Sequence, residues 1–278
     1  MATLGPAQVR ALAAELGLTP TKRLGQNFVI DPNTVRKIAA GVTAGDLVLE
    51  VGPGLGSLTL ALLETGARVQ AVEIDRRLAD QLPRTVAEFD PEAATRLQVR
   101  CEDAVAMQPA DHPTRFVANL PYNTAVPILL NVLERWPTIE SGLVMVQQEV
   151  AERLTAQPGS RVYGVPTAKV NWWATTRNAG KVGADVFWPA PNVQSGLVAF
   201  QRHEVARPEL REATFAAVDA AFAQRRKMLR SALRAWAAPL DAVLVLERAG
   251  LAPTARGESL TVEQFQALAS AKSAMLRP

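Results

Sequence analysis

An apolar run, Leu47–Val51, breaks directly into Gly52-Pro53-Gly54-Leu55-Gly56 and then into an amphipathic stretch, Ser57–Glu64. Glycines at alternate positions between a strand and a helix impose a sharp turn whose backbone can lie close to a ligand, with no Cβ in the way. Up to about His203 the chain repeats this strand–helix alternation. Arg68–Ile74, Leu97–Cys101, Arg115–Ala118 and Gly142–Val146 read as strands, and Arg76–Phe89 and Ala125–Arg135 as helices. Such alternation predicts an α/β, Rossmann-like fold, a mainly parallel sheet with helices on both faces. Lys169–Thr176 and Ser195–Gln201 are expected to form an antiparallel pair closing one edge. Pro6–Leu16 and Pro32–Ala40 are expected to be two short leading helices.

After Arg207-Pro208 the strand signals stop, and helical runs cover Glu209–Trp236, Leu240–Ala249 and Thr261–Met275. A boundary near residue 204 follows, giving an α/β domain over 1–203 and a small C-terminal α-helical domain over 204–278. No stretch approaches the ~20 apolar residues that span a bilayer, and Met1 to Leu18 lacks a signal-peptide pattern. A cytoplasmic protein without a membrane partner is therefore expected. With Cys101 the only cysteine and two histidines in the chain, an intrachain disulfide is excluded and no metal site is expected. The net charge is only +3, but Arg225, Arg226, Lys227, Arg230 and Arg234 cluster between Phe222 and Trp236 without one acid. A solvated helix face and a polyanion-binding surface both fit that cluster.

The glycine loop does not name its ligand, because dehydrogenases use a similar turn and a plain βα turn can look the same. Two details point to S-adenosylmethionine. The spacing is G-x-G-x-G rather than G-x-G-x-x-G, and Glu50 stands just before it; a cofactor without pyrophosphate does not need the phosphate-binding turn. Glu73 ends the second strand, where a carboxylate can take both ribose hydroxyls. Asp103, in Cys101-Glu102-Asp103-Ala104 after the third strand, can bond an adenine amino group or cap a helix.

Asn119-Leu120-Pro121-Tyr122 follows the fourth strand, at the carboxyl edge where ligands bind in such sheets. An adenine amino group is a poor nucleophile, since its lone pair is delocalised into the ring. The Asn119 oxygen and a backbone carbonyl at Leu120 or Pro121 can accept its two N–H groups and turn the lone pair outward. Pro121 stiffens the loop, and Tyr122 can stack on the base. Phe187, in Val186-Phe187-Trp188-Pro189-Ala190-Pro191, is a candidate for the base's other face, so that a flipped-out adenine would be sandwiched.

These residues sit in a longer series. It runs through Leu24-Gly25-Gln26-Asn27-Phe28, Glu50–Gly56, Val72-Glu73-Ile74-Asp75, Asn119–Asn123 and Val146–Leu154. Arg161-Val162-Tyr163-Gly164, Phe187–Val193 and Phe222-Ala223-Gln224-Arg225-Arg226-Lys227 complete it. In this order the series resembles the ribosomal RNA adenine dimethyltransferases, most closely their small-subunit type. The resemblance implies a class I S-adenosylmethionine methyltransferase that dimethylates two adjacent adenines near the 3′ end of small-subunit RNA, in a late assembly particle. It assigns Asn27, the backbone at Val29, Gly52, Glu73, Asp103 and Asn119 to the cofactor pocket; Gln26, Glu50, Gly54, Gly56, Ile74 and Ala104 are adjoining candidates. RNA contact becomes the favoured reading of the basic cluster, with Phe222, Leu229, Leu233 and Trp236 on one docking stripe and Arg226, Arg230 and Arg234 beside it. Lys22 and Arg23 are candidates to extend that surface, and a monomer is expected. Gln194, where an acid is usual before Ser195, and Val29, where leucine is usual, are the departures. Three rivals remain: a large-subunit methylase of the macrolide-resistance type, a non-catalytic assembly or transcription factor on the same fold, and, more distantly, an NAD-dependent enzyme.

Overall fold

A computed structural model describes residues 3–18 and 27–277. The chain folds as two compact units, Met1–Ala151 with Thr176–Arg202, and Glu152–Thr175 with His203–Pro278.

The first unit opens with α1 (Pro6–Glu15), β1 (Phe28–Val29) and α2 (Pro32–Ala39), the last capped by Asp31, whose carboxylate accepts from the Asn33 and Thr34 amides. Next come β2 (Leu47–Val51), α3 (Ser57–Glu64), β3 (Arg68–Glu73), α4 (Arg76–Phe89), α5 (Pro91–Ala94) and β4 (Leu97–Cys101). They are followed by β5 (Arg115–Asn119), α6 (Ala125–Arg135), β6 (Ser141–Gln147) and the start of α7 (Gln148–Leu154). After the excursion into the second unit the chain returns with β7 (Ala174–Val182), β8 (Phe187–Trp188) and β9 (Ser195–Arg202). The main sheet runs β4-β3-β2-β5-β6-β9-β7. Pairings from β4 to β6 are parallel, and β9 lies antiparallel to β6. Burial explains the central strands: Val48–Val51 and Val69–Glu73 are covered along their length, so their sequences are mostly apolar, interrupted only by Glu50, Gln70 and Glu73. α3 is buried from Ser57 to Leu63, which seats the glycine loop rigidly between β2 and the core. β1 and β8 form a separate antiparallel ribbon, Phe28 opposite Trp188 and Val29 opposite Phe187.

From β2 the chain adds strands outward on one side, through β3 to β4, and then crosses back to lay β5 and β6 on the other. The strand order therefore reverses between β2 and β5. The carboxyl edge there carries Glu50–Gly56, Glu73, Asp103 and Asn119–Tyr122, the position where open α/β sheets bind ligands.

The second unit holds α8 (Val165–Val170), α9 (Arg211–Ala223), α10 (Leu229–Ala232), α11 (Arg234–Ala237), α12 (Ala242–Arg248) and α13 (Val262–Leu276). Its core is built on Tyr163, Val218, Leu229, Leu233, Leu246 and Phe265, all fully buried. Phe222 bridges Tyr163 and Phe265 at ring separations of 6.0 and 6.3 Å. Thr261 and Gln264 exchange bonds to close the capping box of α13.

Three expectations are corrected. Lys169–Thr176 is a strand only in its last residues: α8 ends at Val170 and β7 starts at Ala174, although β7 does close the sheet's edge beside β9. Pro166 sits in the first turn of that helix, where its fixed φ is favourable. The helical run Glu209–Trp236 is three helices, broken after Ala223, with Gln224 at φ −124°, ψ 53° and Met228 extended. The break is held by other acceptors: Leu229 N–H donates to the Ala255 carbonyl (2.7 Å) and Arg230 N–H to that of Pro253 (3.1 Å). Phe222, Leu229, Leu233 and Trp236 therefore do not share one helical stripe. Finally, 152–175 packs with the helical unit instead of continuing the α/β unit to residue 203, because Tyr163 and Ala168 belong to the helical core.

Candidate active site

Two adjoining cavities open at the carboxyl edge of the parallel strands. One is bordered by Asn27–Val29, Glu50, the glycine loop, Ser57, Glu73 and Asn119–Tyr122. The other is bordered by Gly52, Glu73, Ile74, Asp103, Ala104, Val105, Pro121 and Ile128. Gly52, Glu73, Ile74 and Pro121 line both.

The loop's geometry depends on its glycines. Gly52 (φ +69°) and Gly54 (φ +57°) occupy the left-handed region, and a Cβ on Gly54 would come within 3.0 Å of the Phe28 ring. Glu50 lies beneath the loop, 1 % exposed, accepting from the Thr59 hydroxyl at 2.7 Å. Burial, with the nearby Glu73 charge adding to it, pushes its carboxyl up to about 8. Glu73 is buried with an oxygen on each of two backbone donors, Gly54 N–H (3.2 Å) and Asp75 N–H (3.0 Å). Burial outweighs those bonds and raises its pKa. Each oxygen keeps a lone pair for a further donor.

In the second cavity Asp103 is turned to its own loop, accepting from Val105 N–H at 2.9 Å. Ile74 is 60 % exposed and Val105 39 %, so two apolar side chains flank a slot suited to a planar base. Asn131 of α6 pins the loop by donating to the Ala104 carbonyl (3.1 Å). Sequence reasoning misses Val105 and Asn131, since a valine after a strand and an asparagine inside a helix carry no signal of their own.

On β5 and its loop, the Asn119 amide nitrogen donates to the Asn27 carbonyl at 3.3 Å, which leaves its oxygen for a ligand. Leu120 N–H donates to the Met145 carbonyl (3.0 Å), and the Pro121 carbonyl accepts from Thr124 N–H (3.1 Å). The half-buried Tyr122 has its hydroxyl 2.7 Å from the Ser195 hydroxyl, and burial raises its pKa. Val29 is buried and paired with Phe187. Phe187 itself is 3 % exposed within the core and borders neither cavity. A ring so covered presents no open face in this packing, so its assignment to the base's second face rests on the sequence alone. Gln26, Lys22 and Arg23 lie outside the described residues.

Among the described residues, no lysine, arginine or histidine borders either cavity. A site bordered by acids and without a cation suits a nucleoside that brings positive charge, and is poorly matched to a pyrophosphate. Elsewhere, in the helical unit, Arg226, Lys227, Arg230 and Arg234 are exposed. Arg225 is tied to Glu258 at 3.0 Å, so less of its charge is on offer. Among the described residues, no cluster of three or more His, Cys, Asp or Glu side chains could hold a metal ion, and no helix is long and apolar enough to cross a membrane.

Sheet order, glycine loop and acid-bordered carboxyl edge define a class I methyltransferase fold. Two solved structures share it. A dimethyladenosine transferase from Plasmodium falciparum superposes with a TM-score of 0.74 at 24 % identity, over 87 % of this chain and 95 % of that one. The 23S rRNA methyltransferase ErmE gives 0.68 at 26 % identity, over 89 % and 100 %. Residues 18–273 match the model of the family described as ribosomal RNA adenine dimethylase, and the chain belongs to that family. It is 58 % identical to the ribosomal RNA small subunit methyltransferase A of Leifsonia xyli over 273 residues, 96 % of this chain and 98 % of the relative. It is equally similar, 58 % over 278 residues (98 % and 96 %), to the protein of the same name from Streptomyces griseus.

Proposed function

We propose that the chain is an S-adenosylmethionine-dependent enzyme that dimethylates the N6 amino groups of two adjacent adenines near the 3′ end of small-subunit ribosomal RNA. The substrate is RNA within an assembling particle, and the enzyme works as a cytoplasmic monomer. The observation that carries this reading is the near full-length 58 % identity to relatives named for the small subunit. The acids that border the cavities, with no lysine, arginine or histidine among the described residues lining them, support the cofactor assignment.

Bound S-adenosylmethionine supplies an electrophilic methyl group on a cationic sulfur. Glu73 offers its remaining lone pairs to the ribose hydroxyls, Asp103 and the Ile74–Val105 slot take the adenine, and the glycine loop admits the amino-acid end. The Asn119 oxygen accepts one N–H of the target amino group. The Leu120 carbonyl is the better second acceptor, because that of Pro121 is already engaged by Thr124. With both N–H groups held, the nitrogen lone pair is directed out of the ring plane. The N–C bond forms as the S–C bond breaks, and the extra N–H proton passes to water. No general base is required before attack, so orientation supplies most of the acceleration. Arg226, Lys227, Arg230 and Arg234 hold RNA phosphates, which position the target without reading its sequence.

The similarity to ErmE keeps a large-subunit target as the second reading. Tritiated S-adenosylmethionine supplied with undermethylated small subunits, large subunits or naked RNA, followed by nucleoside analysis, tests both. Dimethyladenosine from small subunits alone is expected. Label in large-subunit RNA would move the target, and no transfer despite cofactor binding would favour a non-catalytic assembly role.

A further inference from the structure

Tyr122 is the one aromatic residue on the loop that follows Asn119 at the end of β5. Its hydroxyl reaches past β6 to Ser195, on the first residue of β9, at 2.7 Å. Ser195 is 0 % exposed and its backbone is held firmly. It pairs with Gln147 in the β6–β9 ladder, and Gln148 N–H donates to the Gln194 carbonyl at 2.9 Å. The neighbouring Gly196 approaches α7 so closely that a Cβ there would lie 2.5 Å from that of Ala151. The serine hydroxyl is thus a fixed post in a strand, while Tyr122 sits on a loop. Among the described residues Ser195 is the only hydrogen-bond partner of the Tyr122 side chain.

We infer that Ser195 is a positioning residue for methyl transfer: its hydroxyl fixes the Tyr122 ring at the angle against which the target adenine stacks. The inference rests on the proposed adenine methyltransferase activity. It assigns the Tyr122 hydroxyl to anchoring rather than to proton transfer, and burial keeps that phenol further from ionisation than usual. A ring free to swing would still admit the cofactor, because Tyr122 borders only one of the two cavities and Glu73, Asp103 and the glycine loop also wall them, but would hold the base in fewer productive orientations.

Single-turnover methyl transfer to undermethylated small subunits, with S-adenosylhomocysteine affinity measured by calorimetry, tests the assignment on Ser195→Ala, Ser195→Thr, Tyr122→Phe and the Ser195→Ala/Tyr122→Phe pair. Ser195→Ala and Tyr122→Phe should each slow transfer about tenfold, or about 1.4 kcal/mol of barrier, the scale of one lost neutral hydrogen bond. The pair should be no slower than either alone, because both remove the same bond. S-adenosylhomocysteine affinity should stay within about twofold, and Ser195→Thr, which keeps the hydroxyl, should recover most of the rate. Wild-type rate in Ser195→Ala, losses that multiply in the pair, or cofactor affinity falling in step with rate would each overturn the assignment. If Ser195→Ala does not fold, Tyr122→Phe decides from the other side of the bond: a tenfold loss supports it and an unchanged rate overturns it. Wild-type protein that methylates no ribosomal RNA would bring down the activity reading and this inference with it.

Discussion

Replacing Glu50 by glutamine isolates the one acid buried beneath the glycine loop. Glutamine keeps an oxygen for the Thr59 hydroxyl but carries no titrating proton. The Glu50 carboxyl is raised from 4.5 to about 8 by burial. For an acid with a raised folded-state pKa, the folded protein holds a proton that the unfolded chain has released. Its contribution to stability is therefore complete below pH 4.5 and is lost as pH rises towards 8, at about 1.4 kcal/mol per pH unit. Across that window of about 3.5 units the loss reaches about 5 kcal/mol. The variant should match the wild type near pH 4.5 and gain on it steadily, being several kcal/mol more stable at pH 8.5 in the absence of cofactor. Urea titration with hydrogen exchange read at the β2 and β3 amides would report on the unit that holds Glu50. A difference between the two proteins that stays constant from pH 5 to 8.5 would refute the reasoning, since it would mean that Glu50 titrates alike in both states.

Glu73→Ala should weaken S-adenosylhomocysteine binding roughly 10- to 100-fold by calorimetry, the range for lost hydrogen bonds to a charged group. Asn119→Ala should lower methyl transfer by about 100-fold or more, the scale of one missing preorganised hydrogen-bonding group, in an assay with saturating cofactor. Phe187→Ala should cost about 3–5 kcal/mol of stability through the cavity it leaves, with transfer per folded molecule little changed; a selective loss of rate at full stability would place Phe187 in the base slot. Arg226→Glu and Lys227→Glu should each flatten the salt dependence of RNA binding by about one unit of slope. Arg225→Glu should do less, because Glu258 already occupies its guanidinium.

Residues whose environment is set by their immediate neighbours in sequence are legible. Leu47–Val51, Arg76–Phe89, Leu97–Cys101 and Ala125–Arg135 form the elements their patterns imply, with the same ends. An inner strand such as Leu47–Val51 is mostly apolar, the edge strand Leu97–Cys101 mixes half-buried and exposed positions, and a helix with one buried side must repeat near 3.6 residues. Glu50, the glycines, Glu73, Asp103 and Asn119 are legible for a related reason: each falls at the end of a parallel strand, and the topology brings those ends together. β7 is not, because its pattern is that of an edge strand. Thr175, Arg177, Asn178 and Lys181 are all exposed, which protects an open edge and removes the alternation that would announce a strand.

The remaining misreadings share one cause: the deciding partner is distant in sequence. Arg225–Lys227 looks helical until the carbonyls of Pro253 and Ala255 claim the amides of Arg230 and Leu229 and end α9 at Ala223. An aromatic residue before Trp188-Pro189 looks like a free loop ring until the β1 ribbon pairs Val29 with Phe187 and draws it into the core. Ser195 carries no mark of function until the sheet sets β9 beyond β6 and brings its hydroxyl to Tyr122, 73 positions earlier. In each case local propensity offers a default, and one or two long-range hydrogen bonds or a buried ring override it. The basic cluster shows the consequence for function. With α9 ended at Ala223, Arg226 and Lys227 occupy a turn while Arg230 and Arg234 ride on α10 and α11. On the proposed reading, the charges offered to RNA phosphates therefore lie on a turn and two short helices instead of in one straight row of arginines.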